Sequence, residues 1–245
     1  MKKRPLPCTQ TASDLHPKGV VRGFFITIVC AIALSAQTPE LGNAFARLDK
    51  TAQQFKSVGA AINRDVHTAV INDDARDSGT LWARREKSHG LRMRIDFSAP
   101  DAKAVAIDGS DVRIYYPKLK TVQIYDIGAK RDLVEQFLLL GFGASSSELK
   151  DHYDVSLAGQ EPIGGENAWH LVLIPKSAEA LKNLKKAELW ISESTGLPVQ
   201  QKFTTSAGGD YTLVTYSKMQ ANKSLSDNDL KLSYPRGVKE ERPKL

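Results

Sequence analysis

Outside the first 36 residues of this 245-residue chain, the side chains best suited to metal or acid–base chemistry are His67, His89, His152 and His170. They are scattered, and no pair has the spacing of a metal motif. The acids of "DDARD", residues 73–77, lack the twelve-residue calcium-loop pattern and its closing glutamate, and read as a solvated turn. The serines of "GASSSE" are not set in the G-x-S-x-G elbow that exposes a nucleophile. "GFG", residues 141–143, follows an apolar run instead of opening a helix, so it forms no phosphate loop. "NKS" at Asn222 matches a glycosylation sequon and nothing around it supports that use. No enzyme pattern survives. The expectation is a non-catalytic protein with no metal and no cofactor.

The elements that would position a site are mostly strands. In "HGLRMRIDF", Leu91, Met93, Ile95 and Phe97 alternate with Arg92, Arg94 and Asp96. Side chains in a strand point to opposite faces with a period of two, so this is a half-buried strand. The same pattern recurs in "NRDVHTAVIND", "GTLWARR", "KAVAIDGSDVRIYYP", "KTVQIYDI", "YDVSLAG", "AWHLVLIP", "KAELWISESTGLPVQQKFTTS" and "GGDYTLVTYSKMQ". "DDARDSG", "DGSD", "QEPIGGEN" and "ESTG" read as turns between them. These short spacings predict about eleven strands paired as an antiparallel meander.

Helices are few. Thr38 and Pro39 suit a helix start, and Leu41, Phe45, Leu48, Ala52 and Phe55 form one apolar stripe, with Gly59 as the stop. "KRDLVEQFLLLGFG" is apolar almost all round and reads as a short buried helix ended by Gly141 and Gly143. Ser145 and Glu148 then make a capping box. "SAEALKNLKK" reads as a surface helix.

The N-terminus reads as a leader. "MKKRPLP" is basic, and "GFFITIVCAIALSA" is an apolar run too short for a stable span that ends in small residues. Residues 1–36 are therefore expected to be a cleavable secretory signal, with residues 37–245 a single domain. Without the leader the formal net charge falls from +6 to +2, so the basic balance gives no reason to expect nucleic-acid binding. Both cysteines, Cys8 and Cys30, lie in the leader. The remainder would need no disulfide, which suits a domain large enough to bury its own core.

A sheet with so much apolar face must be covered. Two short helices can seal it into a filled core or leave a pocket for an apolar ligand, and pattern alone does not choose between them. The order of motifs resembles the periplasmic outer-membrane lipoprotein carriers, the LolA family and its lipoprotein-sorting relatives. "GTLWARR" is similar to that family's G-x-L-W-x-x-R strand, "AELWISESTGLPVQQKF" follows the mid-chain helix, and "LSDNDLKLSYPRGVKE" resembles its close. The likeness spans roughly residues 40–240. It departs at Glu86 and His89-Gly90, where the family has Pro and an apolar residue, and at Arg236, where a second Pro is usual.

The resemblance implies an incomplete antiparallel β-barrel with helices as a lid over an apolar cavity. It implies a periplasmic carrier, acting as a monomer, that shuttles lipidated proteins by their acyl chains. Its partners would be an ATP-driven inner-membrane transporter that loads it and an outer-membrane acceptor that unloads it. Alternatives are a related fold that binds another lipid or glycolipid or senses mislocalised lipoprotein, and an envelope scaffold with a filled core. By position, the resemblance makes Arg85 a latch to backbone carbonyls of the lid, with Arg84 competing for the role. It makes Trp82, Leu91, Met93, Ile95, Phe97, Leu138, Leu139 and Phe142 candidates for the cavity wall.

Overall fold

The computed structural model describes residues 39–244, apart from 87–89, 131–133, 135–139 and 207, with backbone alone at 99 and 129. The expected leader, His89 and most of the expected mid-chain helix lie outside the described residues. Helix α1, Pro39–Gln54, buries Leu41, Ala44, Phe45 and Leu48. The strands that follow are β1 Ser57–Thr68, β2 Asp73–Glu86, β3 Gly90–Ala99, β4 Lys103–Asp108, β5 Asp111–Tyr116 and β6 Thr121–Asp126. Then come α2 Ser146–His152, β7 Tyr153–Ile163, β8 Glu166–Pro175, α3 Ala178–Leu181, β9 Leu184–Ser192, β10 Pro198–Thr205 and β11 Tyr211–Ala221. The chain closes with α4 Asp227–Leu230 and β12 Lys239–Glu241.

All twelve described strands form one sheet in the order β12-β6-β5-β4-β3-β2-β1-β11-β10-β9-β8-β7. Two meanders of hairpins meet where β1 pairs with β11. The edges, β7 and β12, do not pair with each other, so the barrel is incomplete. The final strand is the one exception to antiparallel pairing, lying parallel to β6. Extra residues in β3, β7, β9, β10 and β11 interrupt the register and add local twist, which bends the sheet around its inner face. At the bulge in β3, opposite Ser78 and Gly79, a Cβ on Gly79 would collide with the Asp96 carbonyl oxygen, so the close approach of β2 and β3 requires glycine there.

Two boundaries differ from the sequence reading. Gly59 does not stop α1. The helix ends at Gln54, and Gly59 lies inside β1, paired with Trp82 of β2, because strands on both sides satisfy the backbone from Ser57 onward. "DDARD" is not a turn but the start of β2. Its charges are matched across the hairpin, Asp74 with His67 at 2.8 Å, Arg76 with Asp65 at 3.2 Å and Asp77 with Arg64, and the turn falls earlier, at residues 69–72.

Inner and outer faces are packed differently. On the inner face, α1 and α2 cover β7–β10, where Leu171, Leu173, Ala187, Leu189 and Ile191 are fully buried. On the outer face, the segment after β11 runs across β2 and β3 and is held by an arginine ladder. Arg84 donates to the Leu225 carbonyl at 2.7 Å and pairs with Asp227 at 2.6 Å, and Arg94 donates to the Lys231 carbonyl at 3.1 Å. Leu230 of α4 is nearly fully buried there.

Candidate apolar ligand site

The inner face of β1–β4 has no helix of the described residues packed into its centre. Its strands place Ile62, Leu81, Met93, Ile95, Phe97, Val105 and Ile107 in phase, and β10 and β11 add Phe203, Val214 and Tyr216. Together with Phe142 these enclose a cavity of about 510 Å³. That is within the roughly 300–1,000 Å³ typical of small-ligand sites. The neighbouring half of the same sheet is filled core, so one sheet carries both of the packings the sequence left open.

Residues 140–144 close the inner end of the cavity and are gripped at two carbonyls. Arg85 donates to the carbonyl of Gly143, and Gln201 donates to the carbonyl of Leu140. Gln201 in turn accepts from the Tyr216 hydroxyl at 2.7 Å. Burial pushes that hydroxyl well above the ordinary tyrosine range, so it stays a donor. Phe142 sits edge-on to Tyr216 with ring centroids 5.1 Å apart. Gly143 has φ of +75°, and a Cβ there would lie 2.6 Å from the Phe55 ring and 2.8 Å from Arg85 Nη2. Only glycine lets the chain pass beneath Arg85 in this conformation.

Beyond this segment, α2 is fixed at its start. Ser145 and Glu148 form a reciprocal cap. Burial works against the Glu148 charge, but hydrogen bonds from the Ser145 backbone and hydroxyl outweigh it and hold the carboxyl below its usual range. Asp49 of α1 accepts from Ser146 N at 2.6 Å and from Ser146 Oγ at 2.8 Å, which ties the two helices together.

At the far end of the cavity the wall turns polar. Arg64 of β1 pairs with Asp77, and its guanidinium lies 4.8 Å from the centre of the Phe97 ring, with Lys103 Nζ at 5.0 Å from the same ring. Arg64 itself lines the cavity.

Met93, Ile95, Phe97 and Phe142 of the sequence candidates line the cavity. Leu91 shares their face but lies in the filled core beside it, 2% exposed. Trp82 is not part of the wall. It is one residue out of phase with Leu81 and Ala83, so it points to the outer face, where Arg94 lies 5.7 Å from its ring. The same phase separates the two arginines, with Arg85 inward on Gly143 and Arg84 outward on the terminal segment. Leu138 and Leu139 lie outside the described residues. Sequence reasoning missed Gln201 and Tyr216. The available signal was a glutamine sharing the inward phase of Phe203.

Among the described residues, no three or more His, Cys, Asp or Glu are grouped so as to hold a metal ion. No helix among them is long and apolar enough to cross a membrane. No curated protein matches the chain. Solved structures do. The crystal structure of MucB is similar at 16% identity and a TM-score of 0.50, over 79% of this chain and 63% of that one. The chain thus spans less than two thirds of the MucB chain's length. An uncharacterised conserved protein from Thermus thermophilus is similar at 14% identity and a TM-score of 0.52, over 83% of this chain and 99% of that one. At these identities the likeness is one of fold. Residues 53–233 match the family described as outer membrane lipoprotein carrier protein LolA, and the chain belongs to that family.

Proposed function

We propose that the protein is a periplasmic carrier, exported by a cleavable signal in residues 1–36, that holds the acyl chains of lipidated proteins in the cavity between β1–β4 and residues 140–144. The cavity carries this reading, because a filled core would leave no room for cargo. An ATP-driven transporter at the inner membrane would load the carrier and an acceptor at the outer membrane would unload it. Each CH₂ group moved from water to an apolar site is worth about 0.8 kcal/mol, and the same increment holds a chain in a bilayer. A sixteen-carbon chain therefore resists entering water by roughly 10 kcal/mol or more. A carrier must nearly match the membrane and still release. Apolar walls meet the first need. A segment held at two carbonyls, by Arg85 and Gln201, meets the second by opening at modest cost.

The test is native mass spectrometry of the exported protein, followed by organic extraction. Acylated peptide or lipoprotein bound one to one supports the proposal. Phospholipid or glycolipid in its place reassigns the cargo. An empty protein that also fails to brighten bis-ANS overturns it.

A further inference from the structure

The five exposed large hydrophobic residues among those described are Val70, Ile71, Leu119, Ile174 and Leu181. All five lie at one end of the sheet, on or beside the turns β1–β2, β5–β6 and β8–β9. Turns at the opposite end are polar and glycine-rich, as in Asp108–Asp111, Gly164–Gly165 and Glu193–Gly196. The cavity lining reaches this end, where Asn183 is exposed and Arg64, Phe203 and Thr212 are partly exposed beside the buried Phe97 and Leu184.

The β1–β2 turn is the most telling. The Asn72 amide donates to the Ala69 carbonyl at 3.2 Å, which places Val70 and Ile71 at the two apex positions, 86% and 68% exposed. Asn72 supplies the left-handed conformation that closes the turn. Such apices normally carry Gly, Asn, Asp or Pro, and two β-branched apolar residues gain nothing there from folding. Leu119 repeats the pattern, 70% exposed at the tip of β5–β6 beside Lys120, another left-handed residue.

Charges of both signs lie at this end, and several are paired within the protein. Lys118 meets Asp101 at 2.5 Å, Lys182 meets Glu179 at 2.5 Å and His67 meets Asp74 at 2.8 Å. The end therefore presents apolar tips without a field of one sign. The tips also sit on separate hairpins. A protein partner would need a continuous complementary patch of about 800 Å², whereas a lipid layer accepts apolar side chains wherever they fall.

We propose that these turns form a docking rim that inserts Val70, Ile71 and Leu119 into the surface of a lipid bilayer, with the cavity opening against it. The attraction is apolar and indifferent to headgroup charge. An acyl chain could then pass between membrane and cavity without crossing water. The inference goes beyond the carrier reading and is tested without cargo.

The measurement is flotation of the exported protein with vesicles of pure phosphatidylcholine, at low and high salt. The wild type is expected to float at both. Val70→Ser/Ile71→Ser should lower the partition by about tenfold or more, and should keep bis-ANS binding as a sign of an intact cavity. Should that variant not fold, Leu119→Ser on a separate hairpin gives the same readout. A wild type that stays unbound overturns the inference, as does flotation that is lost at high salt. A folded double variant that floats like the wild type overturns it equally. A cavity found empty of acyl chains would sink the carrier reading and leave this result untouched.

Discussion

Replacing Arg85 with Leu should loosen residues 140–144 without disturbing the rest of the fold. Arg85 is a charged donor to the Gly143 carbonyl, and its guanidinium lies 5.9 Å from the centre of the Phe55 ring. A hydrogen bond to a charged group contributes about 1.5–3 kcal/mol. The equilibrium for local opening should shift by about 10- to 150-fold. Native-state hydrogen exchange followed by mass spectrometry reads this directly in a peptide covering residues 140–150, whose Ser146 amide is protected by Asp49. Arg85→Lys, with a point charge in place of a planar fork, should fall between wild type and Leu. Arg84→Leu is the control. It removes bonds on the outer face that stay intact when residues 140–144 open, so exchange in the peptide should not change. Unchanged exchange in Arg85→Leu, or equal acceleration in Arg84→Leu, would refute the reasoning.

The two halves of the inner face should answer truncation differently: Leu189→Ala, in filled core, should cost about 2–5 kcal/mol in urea unfolding, and Ile95→Ala, on the cavity wall, clearly less. Ile95→Trp should narrow the cavity and weaken binding of a fluorescent fatty acid by about tenfold or more, a loss that titration would detect. Burial pushes the Tyr153 hydroxyl from 10.0 up to about 12. Because the folded value lies above the unfolded one, its contribution to stability is complete below about pH 10 and is lost as pH rises toward 12. Alkaline unfolding should therefore begin in that window and begin higher in Tyr153→Phe, as followed by circular dichroism.

The inner and outer faces of β3 were legible because Leu91, Met93, Ile95 and Phe97 follow the two-residue period without a break. The same rule, applied to β2, excludes Trp82 from the wall once Leu81 and Ala83 are seen to point inward. Where the reading failed, tertiary pairing overrode local chemistry. Val70 and Ile71 look like the continuation of a strand, and the acids of "DDARD" look like a turn until Arg64, Asp65 and His67 are set opposite them. The partnership of Gln201 with Tyr216 joins adjacent strands fifteen residues apart, and nothing local marks it. Whether the inner face is filled or hollow depends on where α1 comes to rest. Its stripe of Leu41, Phe45 and Leu48 shows that it docks, not on which strands.

The arginine ladder on the outer face has a mechanical consequence. A wall over empty space cannot borrow stiffness from packing behind it, so β2 and β3 are braced from outside, as a shell is stiffened by ribs. Arg84, Arg92 and Arg94 rivet the chain between Leu225 and Lys231 across the back of these two strands. On the proposed carrier reading, the bracing would keep the hollow from collapsing when empty and limit its swelling around cargo. Stiffness and capacity are thereby set by different parts of the sequence, and the terminal segment can be retuned without altering a residue that lines the cavity.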